Sequence, residues 1–409
     1  MKRIKKDHAV TTPGNASVAL KYKPLRKDHP LGLLEDACLP LRAPRYADCE
    51  ACESICPVKA IHIEETAIQL EESCVRCGRC AAACPMGALG LPGFSVPDVS
   101  RENVGALGVD CWKVPATLSA AGAVRVPCLG GLSPGRILEL VEAAGVASLE
   151  LLDRGWCLKC SAGGGANHPV HASLVQARSL LEAAGCGASR LPRLRSRHLP
   201  ADLMPVEIPA PVTETKMSRR GFFSALTAKA TVAVDQIKPL TAGIEPRRRR
   251  GFEMEPVPSR ERQRLLQGMQ QIGQSEWVTP PPGLFHRVEV SAACDNHQLC
   301  ASICPTGALA VFDEAGRSEL MFDTHLCIGC GECRSICPSG ALSLLPNGYN
   351  AEGQVLPDHP VRLTSFSEKS CPDCGQLFTD KAGEDLCPHC EKRRNLASSA
   401  FQSLFGSGR

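Results

Sequence analysis

The stretch "HLCIGCGECRSICPSGAL" at 325–342 sets cysteines at Cys327, Cys330, Cys333 and Cys337 and follows the last with Pro338. Just upstream, "SAACDNHQLCASICPTGAL" at 291–309 repeats the frame with Cys294, Cys300 and Cys304, but places His297 where a second cysteine belongs. An earlier pair of frames follows the same rule. "EESCVRCGRCAAACPMGAL" at 71–89 is intact, with Cys74, Cys77, Cys80 and Cys84. "RYADCEACESICPVKAI" at 45–61 carries Cys49, Cys52 and Cys56, with Tyr46 at the first corner. Each frame ends in Cys-Pro, and the blocks 38–95 and 286–346 therefore form an internal repeat.

Two-residue spacers let three sulfurs converge on one face of an iron–sulfur cube, and the proline after the last cysteine turns the chain away. The crossed Cys-Pro pattern resembles the bacterial ferredoxins with two [4Fe–4S] clusters, where the fourth ligand comes from the other frame. Structural zinc modules lack that crossing. The resemblance implies one centre at Cys304, Cys327, Cys330 and Cys333 and another at Cys56, Cys74, Cys77 and Cys80. Their altered partners take Cys294, Cys300, Cys337 and His297, and Cys49, Cys52, Cys84 and a missing corner. Imidazole in place of thiolate removes negative charge and raises a potential; the alternative is that His297 does not bind and the centre is incomplete. Cys38 lies close enough to Cys49 to loop back and fill the other vacancy, or it stays a small buried apolar residue.

At 409 residues the chain has room for two to four domains, and its 24 cysteines fall almost entirely in such clusters rather than at disulfide-like spacings. "MKRIKKDHAVTTPGNASVALKYKPLRKDHP" offers no apolar leader, and no run of about eighteen apolar residues could span a membrane. A reduced cytoplasmic setting is expected. The net charge of +3 excludes nothing by itself. Basic runs at 190–198 and 247–250 sit among prolines, so solvated charge is the expectation rather than nucleic-acid binding.

The unit 104–190 reads as small α/β. "AVRVPC" is a strand, "SPGRILELVEAAG" a helix with Ser133 as N-cap and Pro134 next, and "SLELLD" a second strand. Cys111, Cys128, Cys157 and Cys160 could meet at the strands' carboxyl ends, where open α/β sheets bind ligands, and hold a [2Fe–2S] cluster. Cys157 and Cys160 could instead form a dithiol, or all four could be inert. Strand, Cys-x-Gly, helix, strand and paired cysteines are similar to the delta-subunit family of methyl-viologen-reducing hydrogenases, which implies the cluster. "SAGGGANHP" reads as a flexible turn, and Cys186 as a structural thiol.

Residues 191–285 read as a Pro-rich and basic linker with helices at 217–234 and 258–273. "MSRRGFFSAL" at 217–226 looks like a twin-arginine motif placed mid-chain, and a similar start occurs in ferredoxin-type accessory proteins of nitrate reductase maturation. At 366–395, Cys371 and Cys374 pair with Cys387 and Cys390 in what resembles a zinc ribbon, with a rubredoxin-like iron site as the rival. A basic tail, 1–37, and a polar one, 396–409, flank the rest. The expectation is an α+β multidomain chain: two dicluster ferredoxin-like domains flanking a small α/β domain, plus a ribbon. With no catalytic constellation in view, it reads as an electron-transfer subunit serving a hydrogenase, formate dehydrogenase or nitrate reductase type of enzyme, its small-molecule substrate unknown. The alternative is an accessory protein that docks a metalloenzyme client. The linker is long enough for the blocks to act apart.

Overall fold

The computed structural model describes residues 22–43, 48–91, 105–145, 147–163, 167–205, 255–272, 284–314, 316–346, 359–380 and 384–406. Tyr46, the 247–250 arginines and the twin-arginine stretch lie outside them.

The middle unit is a four-stranded parallel sheet in the order Val124–Val126, Ala106–Cys111, Ser148–Asp153, Arg193–Ser196. The two expected strands are present but not adjacent. Ala106–Cys111 runs between them, because its alternating Leu107 and Val109 fill the sheet's centre. The expected helix runs Pro134–Ala144, and the Ser133 hydroxyl accepts the Arg136 N–H at 3.2 Å as its cap. With the helix His171–Ala183 it covers the sheet, and Cys186 packs against this core.

The helix Arg260–Ile272 forms where expected, yet it is no free linker. Leu265, Met269 and Ile272 join the middle unit's core. Gly268 lets it cross Leu138 at contact distance: a methyl there would sit 2.8 Å from Leu138 Cβ. Glu261 completes the joint, its Oε1 accepting the Gly135 N–H and its Oε2 the Ser133 hydroxyl, both at 2.8 Å. A carboxylate there suits the positive end of the Pro134–Ala144 helix.

In the first block, Ile61–Ile63 pairs with Ile68–Leu70. Residues 22–37, expected to be tail, instead add the strands Lys23–Pro24 and Gly32–Leu33 to Leu89–Gly90, because Leu31 and Leu33 bury apolar side chains against the cysteine frames. In the second block, Arg287–Val290 pairs with Leu342–Leu345. The hairpin Leu309–Glu314/Arg317–Phe322 is continued by the long strand Val361–Ser370 and by Leu377–Thr379, so the last cysteine module is stitched onto this block. Its final helix runs Pro388–Phe405, through most of the expected polar tail. No helix among the described residues is long and apolar enough to cross a membrane.

Candidate metal centres

In each cysteine block a short helix begins inside the frame, Arg79–Ala83 after Gly78 and Glu332–Ser335 after Gly331, both glycines holding φ near +80°. That left-handed residue turns the Cys-x2-Cys loop inward so successive thiols face one cavity. Cys56, Cys74, Cys77 and Cys80 line one such cavity with Leu31, Ile61 and Leu70. Cys304, Cys327, Cys330 and Cys333 line another with Val288, Leu309 and Phe322. In both blocks the Cys-Pro cysteine of one frame thus lines the cavity of the other frame's Cys-x2-Cys-x2-Cys loop.

A third cavity gathers Cys38, Cys49, Cys52 and Cys84 among Leu39, Ile63 and Ile68. Cys38 is buried there, carried in by the turn before the helix Leu39–Arg42. Around the fourth frame, Cys300 senses both Cys294 and Cys337, and all three are half-buried. His297 stands exposed between two residues of positive φ, Asn296 and Gln298.

Burial dominates the electrostatics of these thiols. Burial pushes Cys38 and Cys77 up to about 11 and Cys52, Cys327 and Cys333 up to about 12, with neighbouring thiols adding to the rise. Protonated thiols do not ligate, so metal binding here must expel protons. The backbone already offers compensation to the sulfurs. Ala60 N–H donates to Cys56 Sγ at 3.2 Å, Ala88 N–H to Cys84 at 3.3 Å, and Leu309 N–H to Cys304 at 3.4 Å. The small residues after each Cys-Pro thus serve to bring an N–H onto a sulfur. Cys337 goes the other way: burial raises it, but the Ser339 hydroxyl and the Ala341 and Leu342 N–H groups leave it below the ordinary thiol value.

In the middle unit, Cys111 ends one parallel strand while Cys128 and the Cys157–Cys160 pair follow the carboxyl ends of its two neighbours, and Cys157 and Cys128 both sense Cys111. Burial pushes Cys157 up to about 12. A residue the sequence reading passed over stands beside it. His168 Nε2 lies 3.3 Å from Cys157 Sγ, while its Nδ1 accepts the Val170 N–H at 3.4 Å. The ring therefore presents Nε2–H to the thiol, with Asp153 Oδ1 3.8 Å from the same nitrogen. A histidine a few residues after a Cys-x2-Cys pair was the signal available.

These sites are not separate. Cys128 packs with Cys77 and Ala162 in one apolar group, and Arg79 Nη1 donates to the Gly163 carbonyl at 2.6 Å. A methyl on Gly131 would fall on the Cys77 carbonyl, so only glycine admits this approach. On the other side, Ile328 of the second block packs against Leu39 and Met86 of the first, beside Cys49 and Cys84.

The sulfurs of Cys371, Cys374, Cys387 and Cys390 all lie within 4.8 Å of one another, with Cys374 and Cys387 3.7 Å apart. A tetrahedral ion with metal–sulfur bonds of about 2.3 Å spaces its sulfurs about 3.8 Å apart. That spacing fits one metal ion rather than a cube. Backbone N–H groups, that of Cys387 foremost, pull Cys371 down to about 6.

Residues 292–341 match the model of the 4Fe-4S dicluster domain, and residues 46–91 that of the LdpA Fe-S cluster-binding domain. An uncharacterized ferredoxin of Methanocaldococcus jannaschii is 49% identical over 39 residues, 9% of this chain and 26% of that ferredoxin. The alignment thus spans about a quarter of that relative. The chain carries iron–sulfur cluster-binding domains, which supports a role in electron transfer.

Proposed function

We propose that this chain is a multi-cluster iron–sulfur protein that relays electrons to or from a cytoplasmic redox enzyme of the hydrogenase, formate dehydrogenase or nitrate reductase type. The observation that carries the reading is the crosswise convergence of thiols on three apolar cavities. Bound there, iron–sulfur clusters supply reversible one-electron chemistry. The chain's own residues hold, bury and hydrogen-bond them, which sets each potential.

The proposed ligand sets are Cys56, Cys74, Cys77 and Cys80; Cys304, Cys327, Cys330 and Cys333; and Cys38, Cys49, Cys52 and Cys84. Cys294, Cys300 and Cys337, with His297 as fourth corner, form the last [4Fe–4S] set. Cys111, Cys128, Cys157 and Cys160 hold a [2Fe–2S] cluster, and the four ribbon cysteines hold zinc. A reduced compartment is favoured because the cysteines fall at metal-ligand rather than disulfide-like spacings.

The test is iron, zinc and acid-labile sulfide per chain after anaerobic purification, with a reductive titration followed by EPR. The full reading expects about 18 iron, one zinc and reversible reduction on the cluster types involved. About eight iron would confine loading to the two intact frames. The rival reading, an accessory protein docking a metalloenzyme through its ribbon, draws on the exposed final helix. It predicts client binding that persists when the clusters are absent.

A further inference from the structure

We infer that His29 donates a hydrogen bond from Nε2 to a sulfur of the centre held by Cys56, Cys74, Cys77 and Cys80, and so raises that centre's reduction potential. The inference rests on the ligand reading above for that one cavity.

It begins in the turn "LRKDHPL" at 25–31. The Leu25 N–H donates to the Leu31 carbonyl at 3.0 Å and the His29 N–H to the Arg26 carbonyl at 3.2 Å, closing a loop between the two short strands of the added hairpin. Closure swings the imidazole inward, leaving His29 only 7% exposed. The Leu31 N–H then donates to Nδ1 at 3.1 Å. A neutral ring whose Nδ1 accepts must carry its proton on Nε2. Burial, with Arg76 and Arg26 nearby, favours that neutral form.

Nε2 is buried and has no hydrogen-bond partner among the described residues. A buried N–H left unpaired is costly, so such a group needs an acceptor. The same ring lines the cavity onto which Cys56, Cys74, Cys77 and Cys80 converge. Sulfur is the acceptor that this cavity brings to it once a cluster is held. Donated hydrogen bonds stabilise the more negative, reduced state and raise the potential. No histidine is among the residues lining the Cys304–Cys333 cavity or the Cys38–Cys84 cavity. Of these three cavities, only the one onto which Cys56, Cys74, Cys77 and Cys80 converge is lined by a histidine.

The experiment uses the full, anaerobically loaded chain, as wild type, His29→Phe and His29→Gln. Midpoints are read by EPR-monitored titration. Proton ENDOR in D2O and ¹⁵N hyperfine spectra of histidine-labelled protein read the bond itself. His29→Phe should lower one centre's reduction equilibrium about tenfold, about 59 mV for one electron, leave the other centres unmoved, and erase both an exchangeable-proton and a ¹⁵N coupling. His29→Gln, which keeps an N–H donor, should lose the ¹⁵N coupling and keep most of the midpoint. Unchanged midpoints and couplings in a fully loaded His29→Phe chain would overturn the inference. If the Phe variant fails to load, His29→Gln decides: a ¹⁵N spectrum that this substitution leaves unaltered overturns it equally. Iron content of Cys77→Ser separates the two levels. If that variant loses no cluster, the ligand reading has failed; if it loses one while His29 is without effect, only this inference has.

Discussion

Cys38 is a thiol outside any frame, brought among Cys49, Cys52 and Cys84, where burial lifts it to about 11. Cys38→Ser should cost about four of the chain's iron atoms, one cube, and leave the remaining signals intact. Full iron content would make it a packing residue instead. At the surface of the same block, His62 bridges Glu53 at 3.3 Å and Glu71 at 3.2 Å. Those contacts, the Glu53 hydrogen bond first, raise its pKa above the ordinary value. Its contribution is therefore complete below about pH 6.5, the unfolded value, and fades as pH rises through the higher folded one. Because the side chain is largely solvated the contribution is small. Denaturation midpoints taken from about pH 6 to pH 8 should fall less in His62→Gln than in wild type; equal slopes would remove His62 from the account.

Among the elements, the middle sheet depends on one buried ion pair. Asp110, fully buried, takes Arg154 Nη2 at 2.5 Å and Nε at 3.2 Å, with the Ser119 hydroxyl donating at 3.0 Å. It ties the carboxyl ends of the strands that carry Cys111 and precede Cys157. Asp110→Ala strands the guanidinium and should cost about 3–5 kcal/mol in urea unfolding and, on the proposed [2Fe–2S] reading, lose that centre's iron. A cost under about 1 kcal/mol would show the pair to be solvated in practice. The strands of that sheet differed in legibility. "AVRVPC" and "SLELLD" announce themselves by β-branched and leucine runs between turn residues. Arg193–Ser196 carries alternating arginines and reads as solvated charge, because an edge strand exposes the face that bears them.

At the scale of the molecule, residues 255–262 join all three modules. The Val257 N–H donates to the Pro305 carbonyl at 2.9 Å, the Ser259 hydroxyl to Pro85 at 2.6 Å, and the Arg260 N–H to Met86 at 3.3 Å. Arg42 adds a bond to Pro305 at 2.9 Å. The segment thus grips the Cys-Pro corner of each block. Arg42→Ala with Ser259→Ala removes two of these bonds, and hydrogen exchange at the Val257 and Arg260 amides should quicken about tenfold or more, on about 1 kcal/mol per bond. Unchanged protection would mean the blocks hold without this clamp. Next along, buried Arg262 donates to the carbonyls of His325 at 3.0 Å, Thr324 at 2.9 Å and Leu284, over the Phe285 ring. Burial lowers its pKa only to about 10, so it stays charged at neutral pH. Arg262→Met, which keeps the stem, should destabilise the second block by about 3 kcal/mol in denaturant unfolding, and a loss well below that would refute its bridging role.

The cysteine frames were legible because spacing is a local property: three sulfurs set two residues apart can face one point, and that count is written in the chain. The cysteine pairs at 371–374 and 387–390 and the capped helix at Ser133 were legible for the same reason. What the spacing could not carry were contacts made across long separations. Cys38 beside Cys84, Cys77 against Cys128, His29 over a cavity built from residues 56–80, and the clamp of 255–262 on two distant prolines all depend on how modules dock. Docking is decided by apolar faces and glycine clearances, such as Ile328 on Met86 and Gly131 on Cys77, whose partners no local pattern names. Sequence alone therefore grouped the cysteines by their spacing, and only the tertiary structure decided which of them stand together.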